Sequence, residues 1–184
     1  MHELRHALVV DFGQQYVRFG HSELMGRVVG LLLSAAAPMT EEDIAAELQV
    51  SKSPINHITT RLEQLNLVRR IRIRGDRRYY YEISGDVFFQ AGLNLARLLE
   101  DNLHIADAHL RAALTQLRSA PDGERAEIRA LCQRLMQMRE YHRRVSDAYR
   151  RAVEEWREAS RSLPDVEEYA LELDAEPAVI GSPA

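Results

Sequence analysis

The chain has 184 residues, 46% apolar and 28% charged, with 24 basic and 28 acidic side chains for a net charge of −4. That is apolar chain enough for one domain with a helical appendage, and the longest apolar run, around Val28–Leu33, is far too short to span a membrane. A single cysteine, Cys132, excludes an intramolecular disulfide and a cysteine-only zinc site, and the first residues lack a secretion signal, so a cytoplasmic protein with no membrane partner is expected.

Leu4, Leu8, Phe12, Tyr16 and Phe19 recur every three or four residues and predict an amphipathic helix that Gly20 can end. Ser22 can cap a second helix, whose Leu24, Met25, Val28, Leu31, Leu32 and Ala35 nearly encircle it, as in a buried helix. Gly26 and Gly30, one turn apart on it, allow another backbone to pack closely. Thr40 opens Thr-Glu-Glu-Asp, close to a capping box with acids in the positive first turn, and starts a short helix that buries Ile44, Ala45 and Leu48. After Gln49-Val50, Ser51 can cap a helix reaching Leu65, with Pro54 in its first turn, where a missing N–H costs little. Ile55, Ile58, Leu62 and Leu65 form its buried stripe, while Ser53, Asn56, His57, Thr60, Arg61 and Gln64 fall on the other side.

Two β-rich runs, Leu67–Ile73 and Tyr79–Ile83, flank a turn at Gly75-Asp76 and predict a hairpin. Residues 52–78 hold eight basic groups against two acids, a local charge of +6 that leaves −10 on the rest. The charge distribution therefore points to one basic module although the net charge does not. From Asp86 to about Arg161 two long helices are expected, broken at 120–123. The second carries a heptad-like seam of Ile128, Leu131, Leu135, Met138, His142, Val145, Tyr149, Ala152, Trp156 and Ala159, and the first offers Leu95, Leu99, Leu103, Leu110, Leu114 and Leu117. Residues 163–184 add six acids and no base and are expected to be a disordered tail.

Helix, short turn, helix and basic hairpin is the order of a winged helix-turn-helix. The fold class expected is mainly α with a small β-hairpin: a winged helix-turn-helix domain over residues 22–85, and a long helical dimerisation region from residues 1–21 and 86–162. A helix with a polar outer face fits the major groove. Ser53, Asn56 and Thr60 point the same way; asparagine can pair with adenine N6 and N7, and a threonine methyl can meet that of thymine. Ser51, Lys52 and the helix amino end suit phosphates, with His57 and Arg61 on the same surface. The hairpin arginines, Arg72 and Arg74 among them, suit the backbone and the minor groove.

Residues 40–53 (Thr-Glu-Glu-Asp-Ile-Ala-Ala-Glu-Leu-Gln-Val-Ser-Lys-Ser), residues 61–70 and Gly75-Asp76-Arg77-Arg78 with Tyr79, Tyr80 and Tyr81 resemble the GbsR branch of the MarR-like transcription regulators. The resemblance covers residues 24–85, about a third of the chain, and is architectural elsewhere. It implies double-stranded DNA as partner, a homodimer joined by the long helices, and an Asp-x-Arg wing. In that wing Asp76 orients arginine, and Arg77 and Arg78 are the candidates for insertion. The family has glycine where Gln49 and Asn66 stand here; a left-handed Gln49 would cost about 1 kcal/mol, whereas asparagine tolerates that conformation.

Choline-responsive members of the family draw attention to Tyr79, Tyr81, Phe88 and Phe89, whose rings can cage a quaternary ammonium as effector. Glu100, His104 and Asp107 share a helical face, His142 occupies a seam position, and Cys132 has Arg129 and Arg134 nearby; packing and solvated charge explain these better than a metal, pH or redox sensor. No phosphate-binding loop, nucleophile elbow or catalytic dyad is present, so neither an enzyme nor a cofactor is expected. The expectation is a homodimeric repressor released by a small effector. The alternatives are a helical protein-interaction module with a winged helix that does not bind DNA, and a metal- or redox-gated sensor of the same fold.

Overall fold

The computed structural model describes residues 2–175. Chain order is α1 (His2–Arg18), α2 (Glu23–Leu33), α3 (Glu41–Leu48), α4 (Lys52–Gln64), β1 (Val68–Arg72), β2 (Tyr79–Ile83), α5 (Val87–Ser119), α6 (Asp122–Ala159), a 3-10 turn (Ser160–Ser162) and α7 (Val166–Ala175). The fold is mainly helical with one antiparallel hairpin, and the chain divides into two compact units at Leu98/Leu99.

In the first unit one core gathers Val28, Leu31, Ile44, Ile55, Leu62, Val68 and Tyr81, all shut from solvent. Local chemistry sets each helix start. Ser22 accepts from the Met25 N–H, and Thr40 and Asp43 close a reciprocal capping box. Gly26 and Gly30 let α2 press against α1, since a Cβ at Gly26 would lie 2.2 Å from the Phe12 carbonyl oxygen. Close packing accordingly rotates α1 from its expected stripe: Val9 and Gly13 are buried with Phe12 and Tyr16 against the core, while Leu4 and Phe19 stay exposed. Residues 1–21, expected to lie with the long helices, instead place α1 in the same core as α2, α3, α4 and β2 within this unit.

The bend between α3 and α4 is made by Gln49 at φ 55° and ψ 45°, in the left-handed region, and Asn66 at φ 56° repeats this after α4. The hairpin pairs Val68 with Ile83 through to Arg72 with Tyr79. Gly75, at φ +90°, sits in its turn. Met39 and Tyr81 exchange two backbone hydrogen bonds of 2.9 and 2.8 Å, which fastens β2 to the residues leading into α3.

In the second unit α6 runs antiparallel to the C-terminal part of α5. Arg139 pairs with Asp107 and Arg150 with Glu100, while Leu110, Ala113, Ile128 and Cys132 form a small core. The inward face of α6 is Ile128, Cys132, Ser146 and Val153, so only part of the expected seam is enclosed. Leu131 is 47% exposed, and Ala148 and Ala152 are exposed beside Val145. The apolar surface of α6 is wider than one neighbouring helix can cover.

The tail differs from expectation as well. Val166–Ala175 is helical because the Asp165 carboxylate accepts from the Glu168 N–H at 2.8 Å and Glu167 and Glu168 occupy the positive first turn. Residues 176–184 of the expected disordered stretch lie outside the described residues.

Candidate nucleic-acid interface

α4 buries Ile55, Thr59 and Leu62 completely and turns Lys52, Ser53, Asn56, His57, Thr60 and Arg61 outward, with Ser51 exposed at its start. Its helical period thus separates a packing face from a polar, solvent-facing one. Ser51 stands at the cap position in an extended conformation, but its side chain makes no capping hydrogen bond, leaving the first N–H groups of α4 without that partner. Lys52 pairs with Glu42 and lies 3.7 Å from Glu41. The Glu42 hydrogen bond raises the lysine pKa, and Lys52 lowers that of Glu42. The lysine charge is thereby partly offset before any phosphate arrives.

On the hairpin, Arg69 pairs with Glu82 and Arg70 with Glu63. Asp76 accepts from the Arg78 backbone N–H at 2.8 Å, from its guanidinium at 2.7–3.2 Å, and from the Tyr80 hydroxyl at 2.7 Å. Those hydrogen bonds, Arg78 first, hold the Asp76 carboxyl far below the usual carboxylate range. Arg72 donates to the Tyr79 hydroxyl at 2.6 Å and stacks on that ring at 4.4 Å, with Arg70 at 4.6 Å. The Arg72 hydrogen bond in turn lowers the Tyr79 pKa. Among the described residues, no acid lies in ion-pair range of Arg61, Arg72, Arg74 or Arg77. The two wing arginines expected to insert therefore differ: Arg78 is clamped by Asp76, and Arg77 is exposed and free of any ionic partner.

Between the start of α3, α4 and the wing runs a polar groove of about 320 Å³ lined by Glu41, Lys52, Asn56, Arg70, Arg77 and Tyr79. Glu41 is its hub. Only 8% exposed, its Oε1 accepts from Asn56 Nδ2 at 3.0 Å, from the Tyr81 hydroxyl at 3.0 Å and from Thr59 Oγ1 at 3.4 Å. The sequence offered Glu41 only as an acid in a helix first turn, because its three donors arrive from α4 and β2.

Tyr79 and Tyr81, two of the four rings expected to cage an effector, are engaged within the chain. Tyr81 is buried with its hydroxyl tied to Glu41, burial raising its pKa, and the Tyr79 ring already carries Arg72 and Arg70. Phe88 and Phe89 stand in the first turn of α5. A separate recess of about 420 Å³ opens between α1, α2 and the end of α3, with Arg5, His6 and Arg27 over an apolar floor of Val9 and Leu31. In the second unit Glu100 and Asp107 are engaged by Arg150 and Arg139, and Cys132 is packed. No cluster of three potential metal ligands exists among the described residues, nor any helix long and apolar enough to cross a membrane.

Residues 31–80 match the model of the MarR family. A solved transcriptional regulator is 23% identical, covers 84% of this chain and 98% of its own, and superposes with a TM-score of 0.69. S. aureus MepR, solved in complex with DNA, is 19% identical over 74% of this chain and 93% of its own, at a TM-score of 0.37. MepR as the regulator of the multidrug efflux pump MepA is 18% identical over 74% and 93%, at 0.36. No curated protein matches the chain by sequence. The matching model is that of the MarR family and names no branch within it. Residues 31–80, from the end of α2 to the second strand of the hairpin, have the winged helix-turn-helix fold and are similar to the MarR family.

Proposed function

We propose that this protein is a DNA-binding transcriptional repressor that grips a two-fold related operator as a homodimer. The observation that carries the reading is the outward polar face of α4 beside a hairpin bearing Arg72, Arg74 and Arg77, which have no acidic partner among the described residues. Such a helix enters a major groove, and the hairpin arginines meet phosphates or the adjoining minor groove. Ser53, Asn56, His57 and Thr60 take the base-facing role, and Ser51, Lys52 and Arg61 the backbone-facing one. The homodimer is supported by the uncovered apolar strip of α6, since a two-fold axis would bury the same strip from each copy. Release by a small-molecule effector belongs to the same reading. With Tyr81 bonded to Glu41 and Tyr79 stacked under Arg70 and Arg72, the recess beside Arg5 and Arg27 is the better candidate for that ligand.

Selection from randomised duplex DNA tests this directly: a symmetric consensus is expected, and the absence of any enriched sequence overturns the assignment. On that consensus Asn56→Ala costs about 1–3 kcal/mol and relaxes one position, while Arg77→Ala weakens binding evenly and lowers the salt slope by about 1. A protein-interaction role would instead give binding that ionic strength barely changes.

A further inference from the structure

We propose that Glu41 is a positioning residue for base readout: from its buried place in α3 it fixes which edge of the Asn56 amide faces the DNA. This rests on the DNA-binding reading above. A carboxylate at neutral pH only accepts hydrogen bonds. The Asn56 edge turned to Glu41 Oε1, 3.0 Å away, must therefore be Nδ2, which leaves Oδ1 and the second Nδ2 hydrogen pointing outward. That outward pair matches adenine, whose N6 donates and N7 accepts, and is mismatched to guanine, which offers two acceptors. Without the carboxylate the amide can turn over, and the match becomes a choice between two edges.

The same oxygen binds the Tyr81 hydroxyl at 3.0 Å and approaches Thr59 Oγ1 at 3.4 Å. Tyr81 belongs to β2 and is bonded through its backbone to Met39, two residues before Glu41. One buried acceptor thus joins the start of α3, the reading face of α4 and the wing strand, so the amide is held in a fixed relation to the hairpin. The Glu41, Thr59 and Tyr81 end of the arrangement is buried, where an unmade hydrogen bond is costly, while Asn56 reaches from it to the exposed face of α4.

Charge and acceptor position are separated by crossed substitutions. Glu41→Asp keeps the charge and the first-turn acid but withdraws the oxygen by one methylene. Glu41→Gln removes the charge but leaves Oε1 where it is. The probe is the duplex that the wild-type protein selects from randomised DNA, with each of its single base-pair variants, titrated at fixed salt. Glu41→Asp is expected to lower discrimination at one A·T position about tenfold, with the loss confined to that pair, and Glu41→Gln to retain it.

Glu41→Met, of similar length with neither oxygen, should repeat the Glu41→Asp loss, and in an Asn56→Ala background neither should add to it. Discrimination unchanged in Glu41→Asp and Glu41→Met, lost equally in Glu41→Gln, or lowered evenly at every base pair overturns the proposal while the DNA-binding reading stands. A wild-type protein that selects no sequence overturns that reading itself.

Discussion

In the first unit Val28, Ile44, Ile55 and Leu62 are fully enclosed, and helices from four parts of the chain converge on them. In the second Leu110, Ala113, Ile128 and Cys132 form a small cluster, with Ala106, Ser146 and Val153 also buried, while Leu131 and Tyr141 on α6 remain 47% and 61% exposed. Both regions were written with amphipathic helices. The first closes on itself because α2 is apolar all round and is wrapped by α1, α3, α4 and β2. The second is a pair of helices, and two cylinders in contact leave most of each surface in solvent. The difference teaches where each region's chemistry lies: a self-sufficient core frees α4 to display polar groups, and an unfinished one leaves an apolar strip for another helix surface.

The sharpest way to break this contrast is to place charge on the strip. Ala148 and Ala152 are exposed in α6, so Ala148→Glu with Ala152→Glu leaves the helix intact. Sedimentation should then show a monomer, and operator affinity should fall about 10³-fold as bivalent attachment is lost. An unchanged dimer would mean that the strip has another use. Next in size is Gly26→Ala. The new Cβ meets Phe12 backbone at 2.2 Å, so thermal unfolding should report a loss of about 2–3 kcal/mol. Gly123, in α6 with nothing within 4 Å of an added Cβ, is the control, and Gly123→Ala should be neutral or stabilising by less than about 1 kcal/mol.

A smaller effect is expected at the helix-turn-helix bend. Gln49 holds a left-handed conformation that costs a side-chain-bearing residue about 1 kcal/mol, so Gln49→Gly should stabilise the first unit by that much or less, part being offset by glycine's greater unfolded entropy. The smallest effect concerns acid. Asp76 in the wing is held below its ordinary carboxylate pKa by Arg78 and Tyr80, and Glu140 in α6 is brought down to about 2 by Arg143 and Arg144. Depressed folded-state values mean that each contribution is present above the unfolded pKa and lost only as pH falls through the folded one. Carboxyl NMR should therefore find Asp76 and Glu140 both still ionised at a pH of about 3, where free carboxylates are largely protonated. Solvent screens both groups, so only a small loss of thermal stability should accompany their protonation at ordinary salt.

Sequence alone determined the features that depend on near neighbours. The Ser22 and Thr40 caps, the buried stripe of α4, the turn at Gly75 and the order of helices and hairpin all follow from local spacing and turn chemistry. Asp165 and Glu168 held an equally local signal for α7, which the acidic composition of the tail masked. Tertiary structure decided whatever required distant residues to meet. It chose Val9 and Gly13 over Leu4 in α1, because Gly26 and Gly30 of α2 let its backbone press against the Val9–Phe12 side of α1. It chose Cys132 and Ser146 over Leu131 in α6, because a single antiparallel partner selects one line from a broad apolar face. It buried Tyr81 and built the Glu41 hub by bringing α3, α4 and β2 to one buried oxygen, and periodicity along a single helix carries no record of what approaches from another.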